Sequence, residues 1–194
     1  MQSNTIIEKL YFEIRKSIFN MIPEKSDEVY LYATVMLDEE NDETGEMFFF
    51  YYPKGIIKKR PINVYEIPAR FNIEESGYMK LAKDLYELIK QLRQQCKIYY
   101  NLNWSNVTIS IKNIEFKAEY NCEDLLNSFY SDEDRKIIWQ YQYLNYPIEK
   151  ISKLDREILE NYLAEEENGM HKKFTYTENF YKKTERKSIV YNSN

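Results

Sequence analysis

The residue types that carry most enzyme chemistry are scarce in this chain. There is one histidine, His171, two cysteines, Cys96 and Cys122, and four glycines, at positions 45, 55, 77 and 169. A hydrolase built on a Ser or Cys nucleophile needs a histidine held by a third group, and the only one opens a polar C-terminal stretch. One histidine and two cysteines are too few for a Cys/His zinc site, and the scattered glycines match neither a Walker loop nor a dinucleotide fingerprint. The acid-rich run 38–46 invites a calcium reading. An EF-hand loop wants glycine at its sixth position, however, and counting from Asp38 that position holds Glu43. Carboxylate pairs such as Glu39 with Glu40, or Glu123 with Asp124, have the right type for acid/base work, but acids are frequent enough here for pairs to arise by chance. The expectation is a chain with no catalytic residue, no metal and no cofactor.

Recognition is better represented. Nineteen tyrosines, ten phenylalanines and two tryptophans make 16% of the chain aromatic. Aromatic side chains supply large contact area with little rotamer entropy, so an excess suggests a binding surface; packing in a core or sheet is the equal alternative for any one of them. Tyr30 and Tyr32 lie on the less apolar face of their strand and are candidates for the surface. Asp38, Glu39, Glu40, Asp42 and Glu43 form a solvated hairpin loop or one that faces a partner. Residues 170–194 interleave Phe174, Tyr176, Phe180, Tyr181 and Tyr191 with six basic side chains, a local net charge of +4 that leaves residues 1–169 at −9. That tail reads either as a strand-stacking nucleic-acid arm or as an extension ordered by a partner. An acidic body repels phosphate and favours a basic protein partner, whose encounter it would accelerate.

The elements that must position these residues follow from periodicity. Ile7, Leu10, Ile14, Ile18 and Met21 recur at steps of three and four, which predicts a helix over 5–21 that Pro23 ends. Val29, Leu31, Ala33, Val35 and Leu37 alternate, predicting a strand, and 47–52 is apolar on both faces, as an interior strand would be. A shorter edge strand is expected at 62–67. From Asn72 a long helix is expected, with Tyr78, Leu81, Leu85, Leu88, Leu92 and Cys96 on one stripe. Val107, Ile109 and Ile111, then Ile114, Phe116, Ala118 and Tyr120, alternate on either side of a turn at Lys112-Asn113. Ser131 and Asp134 offer a cap for a helix at 132–144, and Ile151, Leu154, Ile158 and Tyr162 define another that Gly169 stops.

With 194 residues and a net charge of −5, and a mean hydropathy of −0.69, the chain has the composition of a globular protein. The expected fold is α+β: an antiparallel sheet of about five strands packed by an N-terminal helix and a long central helix, with a helical C-terminal third. Residues 1–169 are expected to form one domain, with 131–167 as its helical subregion and 170–194 as a basic aromatic tail. No run approaches the roughly 18 apolar residues of a spanning helix, and Met1-Gln-Ser-Asn lacks a secretory pattern, so a cytoplasmic location away from membranes is the expectation.

Several segments carry a resemblance. Met21-Ile-Pro23, Val29-Tyr-Leu-Tyr-Ala33, Phe49-Phe-Tyr-Tyr-Pro53, Leu85-Tyr-Glu-Leu-Ile89, the stretches 104–108 and 120–125, Ile138-Trp139 and Tyr162-Leu163 stand in that order across residues 6–165. In this order the chain resembles the YezG-like immunity protein family of Gram-positive bacteria. It departs from the family pattern at Trp104-Ser105, where a Trp-Thr pair is expected, and at Asn113-Ile114, where a glycine turn is expected. The resemblance implies a cytoplasmic antitoxin that binds the nuclease domain of a toxin exported by a type VII secretion system. It brings no catalytic residues with it. The alternative left by the residues themselves is a nucleic-acid-binding accessory protein that uses the basic tail.

Overall fold

In a computed structural model, which describes residues 2–37, 40, 42–55, 60–147, 149, 151–168, 173–179 and 190–191, the first helix, α1 (Gln2–Met21), buries the expected stripe. Strand β1 (Ser26–Thr34) follows. Two short strands, β2 (Met36–Leu37) and β3 (Glu43–Thr44), pair with each other as a separate ribbon, so the strand expected through Leu37 is split at Val35. β4 (Met47–Pro53) returns beside β1 and is interior, as its two apolar faces predict.

The edge strand expected at 62–67 is only β5 (Ile62–Asn63). Beyond it the Asn63 side chain accepts from Tyr65 N–H and starts a 3-10 turn, and Pro68 sits in the first turn of α2 (Ile67–Phe71). A local cap and an N-terminal proline therefore override a short β-like pattern. α3 (Glu75–Tyr100) starts at Glu74, whose carboxylate accepts from Ser76 and Gly77 N–H; Asn72 instead closes α2 with a left-handed φ of 52°. β6 (Asn106–Lys112) and β7 (Glu115–Asn121) form the expected hairpin. α4 (Asp132–Leu144) and α5 (Lys153–Glu167) both open on capping boxes, Ser131 with Asp134 and Ser152 with Asp155.

The stretch after residue 170, expected as a tail without a clear period, supplies two more strands. These are β8 (Lys173–Asn179), antiparallel to β7, and β9 (Val190–Tyr191). The main sheet has the order β5-β4-β1-β6-β7-β8-β9, antiparallel throughout. The physical reason lies in the residues themselves: Phe174 and Tyr176 alternate with Thr175 and Thr177, and the two rings join the apolar face of the sheet.

One face of the sheet carries the main core. Val29, Leu31 and Ala33 stand beside Phe49 and Tyr51, then Val107, Ile109, Phe116, Ala118 and Tyr120, under the buried stripes of α1 and α3. Tyr11 of α1 stacks on Tyr176 with ring centroids 4.0 Å apart, and its hydroxyl shares a 2.7 Å hydrogen bond with Tyr120. The opposite face is covered over β1 and β4 by α4, on which α5 packs. The molecule is thus three layers deep in its middle: helices, sheet, helices.

At the β6–β7 turn, Asn113 and Ile114 both take positive φ, 46° and 68°. For a β-branched residue that region costs about 1–2 kcal/mol, which glycine avoids. Ile114 is exposed and has little packing to lose. Replacing it by glycine therefore stabilises the protein by about 1 kcal/mol, after the larger unfolded-chain entropy of glycine is offset. A urea midpoint that falls in Ile114→Gly would show that contacts of the isoleucine outweigh the strain.

Candidate partner-binding surface

Two loops leave the same end of the sheet. Ala33 pairs with Met47, Thr34 with Asn106, Asn106 with Asn121 and Asn121 with Lys173, so the C-terminal ends of β1 and β7 lie at the same end of the sheet, on either side of the start of β6. After β1 the chain enters the acidic ribbon; after β7 it enters the connection 122–131. Gly45 holds the ribbon close, because a Cβ there would lie 2.2 Å from the Thr34 carbonyl oxygen. Thr34 N–H donates to the Glu46 carbonyl, and Glu46 N–H donates to Thr34 Oγ1 at 2.8 Å.

Glu46 is thereby fixed near the first turn of α4. Partial burial, and then the Asp132 carboxylate, push its carboxyl above the ordinary carboxylate range; Glu133 adds to this, and Lys136 and Arg135 oppose it. Glu46, Glu123, Asp124, Asp132, Glu133 and Asp134 gather at this end of the sheet against the cations Arg135 and Lys136, with Lys173 beside them paired to Glu166. The result is a strongly negative surface. Among the described residues no group of three His, Cys, Asp or Glu side chains is arranged to hold a metal ion.

Arg135 organises the connection 122–131 from beneath. Only 8% exposed, it donates from Nη1 to Asp132 at 2.8 Å, from Nη2 to the Leu125 carbonyl at 3.2 Å, and from Nε to Glu123 at 3.4 Å. Glu123 also accepts from Asn106 and Ser128, and Asp124 accepts from Asn127. The sequence pair Glu123 and Asp124 is therefore engaged in shaping a loop. Beside it a small cleft opens between the sheet and α4, lined by Tyr32, Thr108, Glu119, Arg135 and Tyr143 among others. Glu119 in that cleft accepts from the Tyr143 hydroxyl at 3.3 Å and pairs with Lys117 at 3.0 Å.

The sequence candidates are distributed unevenly. Tyr30 and Tyr32, expected on the surface, are 2% and 6% exposed. They lie in an aromatic cluster with Phe50, Tyr52 and Trp139. Their face is the less apolar one, yet α4 covers it, and alternation along a strand does not reveal what lies above. Glu43 is not a free loop acid: Arg93 donates to it from Nη1 at 2.8 Å and Gln94 at 3.0 Å, while Arg93 Nε donates to the Trp104 carbonyl at 2.7 Å. Glu40 and Asp42 are exposed; Asp38 and Glu39 lie outside the described residues. Phe174 and Tyr176, two of the five aromatic side chains of the expected stacking arm, pack against the main core instead. Phe180 and Tyr181 lie outside the described residues, as does His171.

Sequence reasoning passed over two side chains that the fold presents openly. Leu126 and Phe129, on the connection 122–131, are 74% and 82% exposed. Their signal in the sequence was an apolar pair inside a polar loop, which periodicity rules skip because no regular element contains it.

A family model for the immunity protein YezG-like family matches residues 7–160. An immunity protein YezG of Bacillus spizizenii is 30% identical over 159 residues, covering 81% of this chain and 93% of its own. The Bacillus subtilis immunity protein YezG is 28% identical over 159 residues, covering 81% and 99%. The type VII secretion system protein EsaG of Staphylococcus aureus is 28% identical over 162 residues, covering 79% and 94%.

Proposed function

The chain belongs to the YezG-like immunity protein family, and from that premise we propose that it is a cytoplasmic antitoxin, without enzymatic activity, that binds and neutralises the nuclease domain of a type VII-secreted toxin in the producing cell. The likeness to a type VII secretion system protein supports the secretion route. An EsaD-like nuclease is the partner class that the sequence resemblance implies. The observation that carries the reading is the acidic end of the sheet, where Glu46, Glu123, Asp124, Asp132, Glu133, Asp134 and Glu166 outnumber Arg135, Lys136 and Lys173. A nuclease must hold DNA on a basic surface, and an acidic surface is its electrostatic complement.

The reading is tested by titrating the purified chain into the nuclease domain of the toxin encoded beside it while following plasmid cleavage in magnesium. Cleavage ends at a sharp stoichiometric point if the proposal holds. Undiminished cleavage at large excess overturns it.

Charge steering gives a second expected result. Glu40, Asp42 and Glu133 are changed to their amides, leaving Glu43 and Asp132, whose ion pairs hold the fold. Association at low salt slows by about tenfold and its salt dependence flattens, while dissociation changes little. Stopped-flow rates across a salt series that match the parent protein would remove electrostatics from the mechanism.

A further inference from the structure

Leu126 and Phe129 are more exposed than any other large apolar side chain among the described residues. Single exposed apolar side chains on helix faces, such as Phe12 or Leu154 here, are ordinary. This pair differs in two respects.

The loop that carries it is held on both flanks. Arg135 binds the Leu125 carbonyl, Asn127 Nδ2 donates to Asp124 at 2.8 Å, and Ser128 Oγ donates to Glu123 at 3.1 Å. Tyr130 N–H donates to Ser128 Oγ, and the buried Tyr130 ring anchors the far end by donating its hydroxyl to Glu165 at 3.0 Å. The Phe129 ring stands edge-on to Tyr130 with centroids 5.6 Å apart. The two side chains are thus presented by a scaffold that needs little further ordering, and preorganisation of this kind lowers the entropy cost of binding.

The pair also sits within the negative field described above, with Asp124 on the same loop and Asp132, Glu133 and Asp134 immediately after it. An apolar knob inside a charged rim has the anatomy of an interface hot spot, and the sign of the rim selects a positive partner surface.

We propose that Leu126 and Phe129 are the apolar anchor of the toxin interface, inserted into a socket on the basic face of the nuclease domain with the surrounding carboxylates on its rim. The inference rests on the antitoxin reading and names the contact within it. The anchor holds the complex together once formed, whereas the acids bring the partners to each other, so the two groups act on different rate constants.

The test uses full-length protein and the purified nuclease domain of the toxin encoded beside it. Leu126→Ser with Phe129→Ser is compared with the parent and with Phe12→Ser/Phe19→Ser on α1. All four positions are exposed, and thermal melting confirms that each variant folds. The anchor variant is expected to bind at least a hundredfold more weakly, about 2.7 kcal/mol, mainly through faster dissociation. The α1 variant is expected to bind as the parent does. Phe129→Lys, which keeps the loop but adds a cation to the anchor, is expected to lose binding further. Parent-like affinity in both Leu126→Ser/Phe129→Ser and Phe129→Lys overturns the anchor while leaving the antitoxin reading intact. A parent protein that does not bind the nuclease domain at low salt overturns both.

Discussion

Trp139→Ala is expected to remove about 3–5 kcal/mol of folding stability, the range found when a large buried aromatic is cut to alanine. Trp139 is the centre of the second hydrophobic cluster. Its ring lies 5.9 Å from Phe50, 6.0 Å from Tyr32 and 5.8 Å from Tyr143, and its indole N–H donates to Thr108 Oγ1 at 3.1 Å. The substitution leaves a void between sheet and helix, and it leaves Thr108 without its donor. Other contacts also join α4 to the sheet: the Tyr52 hydroxyl donates to the Leu144 carbonyl at 2.9 Å, the Tyr143 hydroxyl donates to Glu119 at 3.3 Å while its ring lies 6.3 Å from Tyr30, and Lys136 lies over the Phe48 ring. The chain has two tryptophans, so in this variant fluorescence reports only Trp104, in the core beneath α1 and α3. Guanidinium melts followed by that signal and by circular dichroism should shift together to lower midpoints. A loss below about 1 kcal/mol would mean that the helical pair does not depend on this contact.

Arg135→Leu is expected to cost about 3 kcal/mol and to weaken toxin binding as well. The guanidinium is nearly buried, and its removal leaves the Glu123 carboxylate, itself 14% exposed, without its cation. The Leu125 carbonyl loses a donor at the same time. Because the desolvation cost falls on the charge left behind, Arg135→Leu/Glu123→Leu should recover a large part of the loss, and a double-mutant cycle measures that coupling. The functional part is separable. With its anchor gone the connection 122–131 should become more accessible to protease, and binding should weaken even where enough native protein remains. If Arg135→Leu binds and resists proteolysis like the parent, the arginine does not position the loop.

Much of the fold was legible one element at a time. Val29, Leu31 and Ala33, or Phe116, Ala118 and Tyr120, alternate because one face of each strand meets a core, and that constraint acts within a few residues. The stripe of α3 through Tyr78, Leu85, Leu92 and Cys96 and the capping box at Ser131 and Asp134 are equally local, although Leu81, expected on that stripe, is exposed and Ala82 and Ile89 are buried instead. Local logic also misled. The alternation in β1 showed that Tyr30 and Tyr32 share a less apolar face but carried no information about the helix that would cover it. The strand expected at 62–67 was overridden by a cap one residue into it. Phe174 and Tyr176 alternate with threonines as plainly as many strands do, but the basic side chains around them drew the reading toward a tail.

The sequence by itself determined the α+β class, the central strands, the long helices and the acidic balance of the body. Those follow from composition and from periods of two and 3.6, which any short stretch of chain must obey to bury one side of itself. Only the tertiary structure decided which acids meet. Glu43 is bound to Arg93, fifty positions away, and Glu46, just before β4, is brought to Asp132 and Glu133 at the start of α4. It also decided that Leu126 and Phe129 stand out in solvent. Exposure and charge clustering are properties of surfaces assembled from distant segments, and no local pattern in the chain is required to encode them.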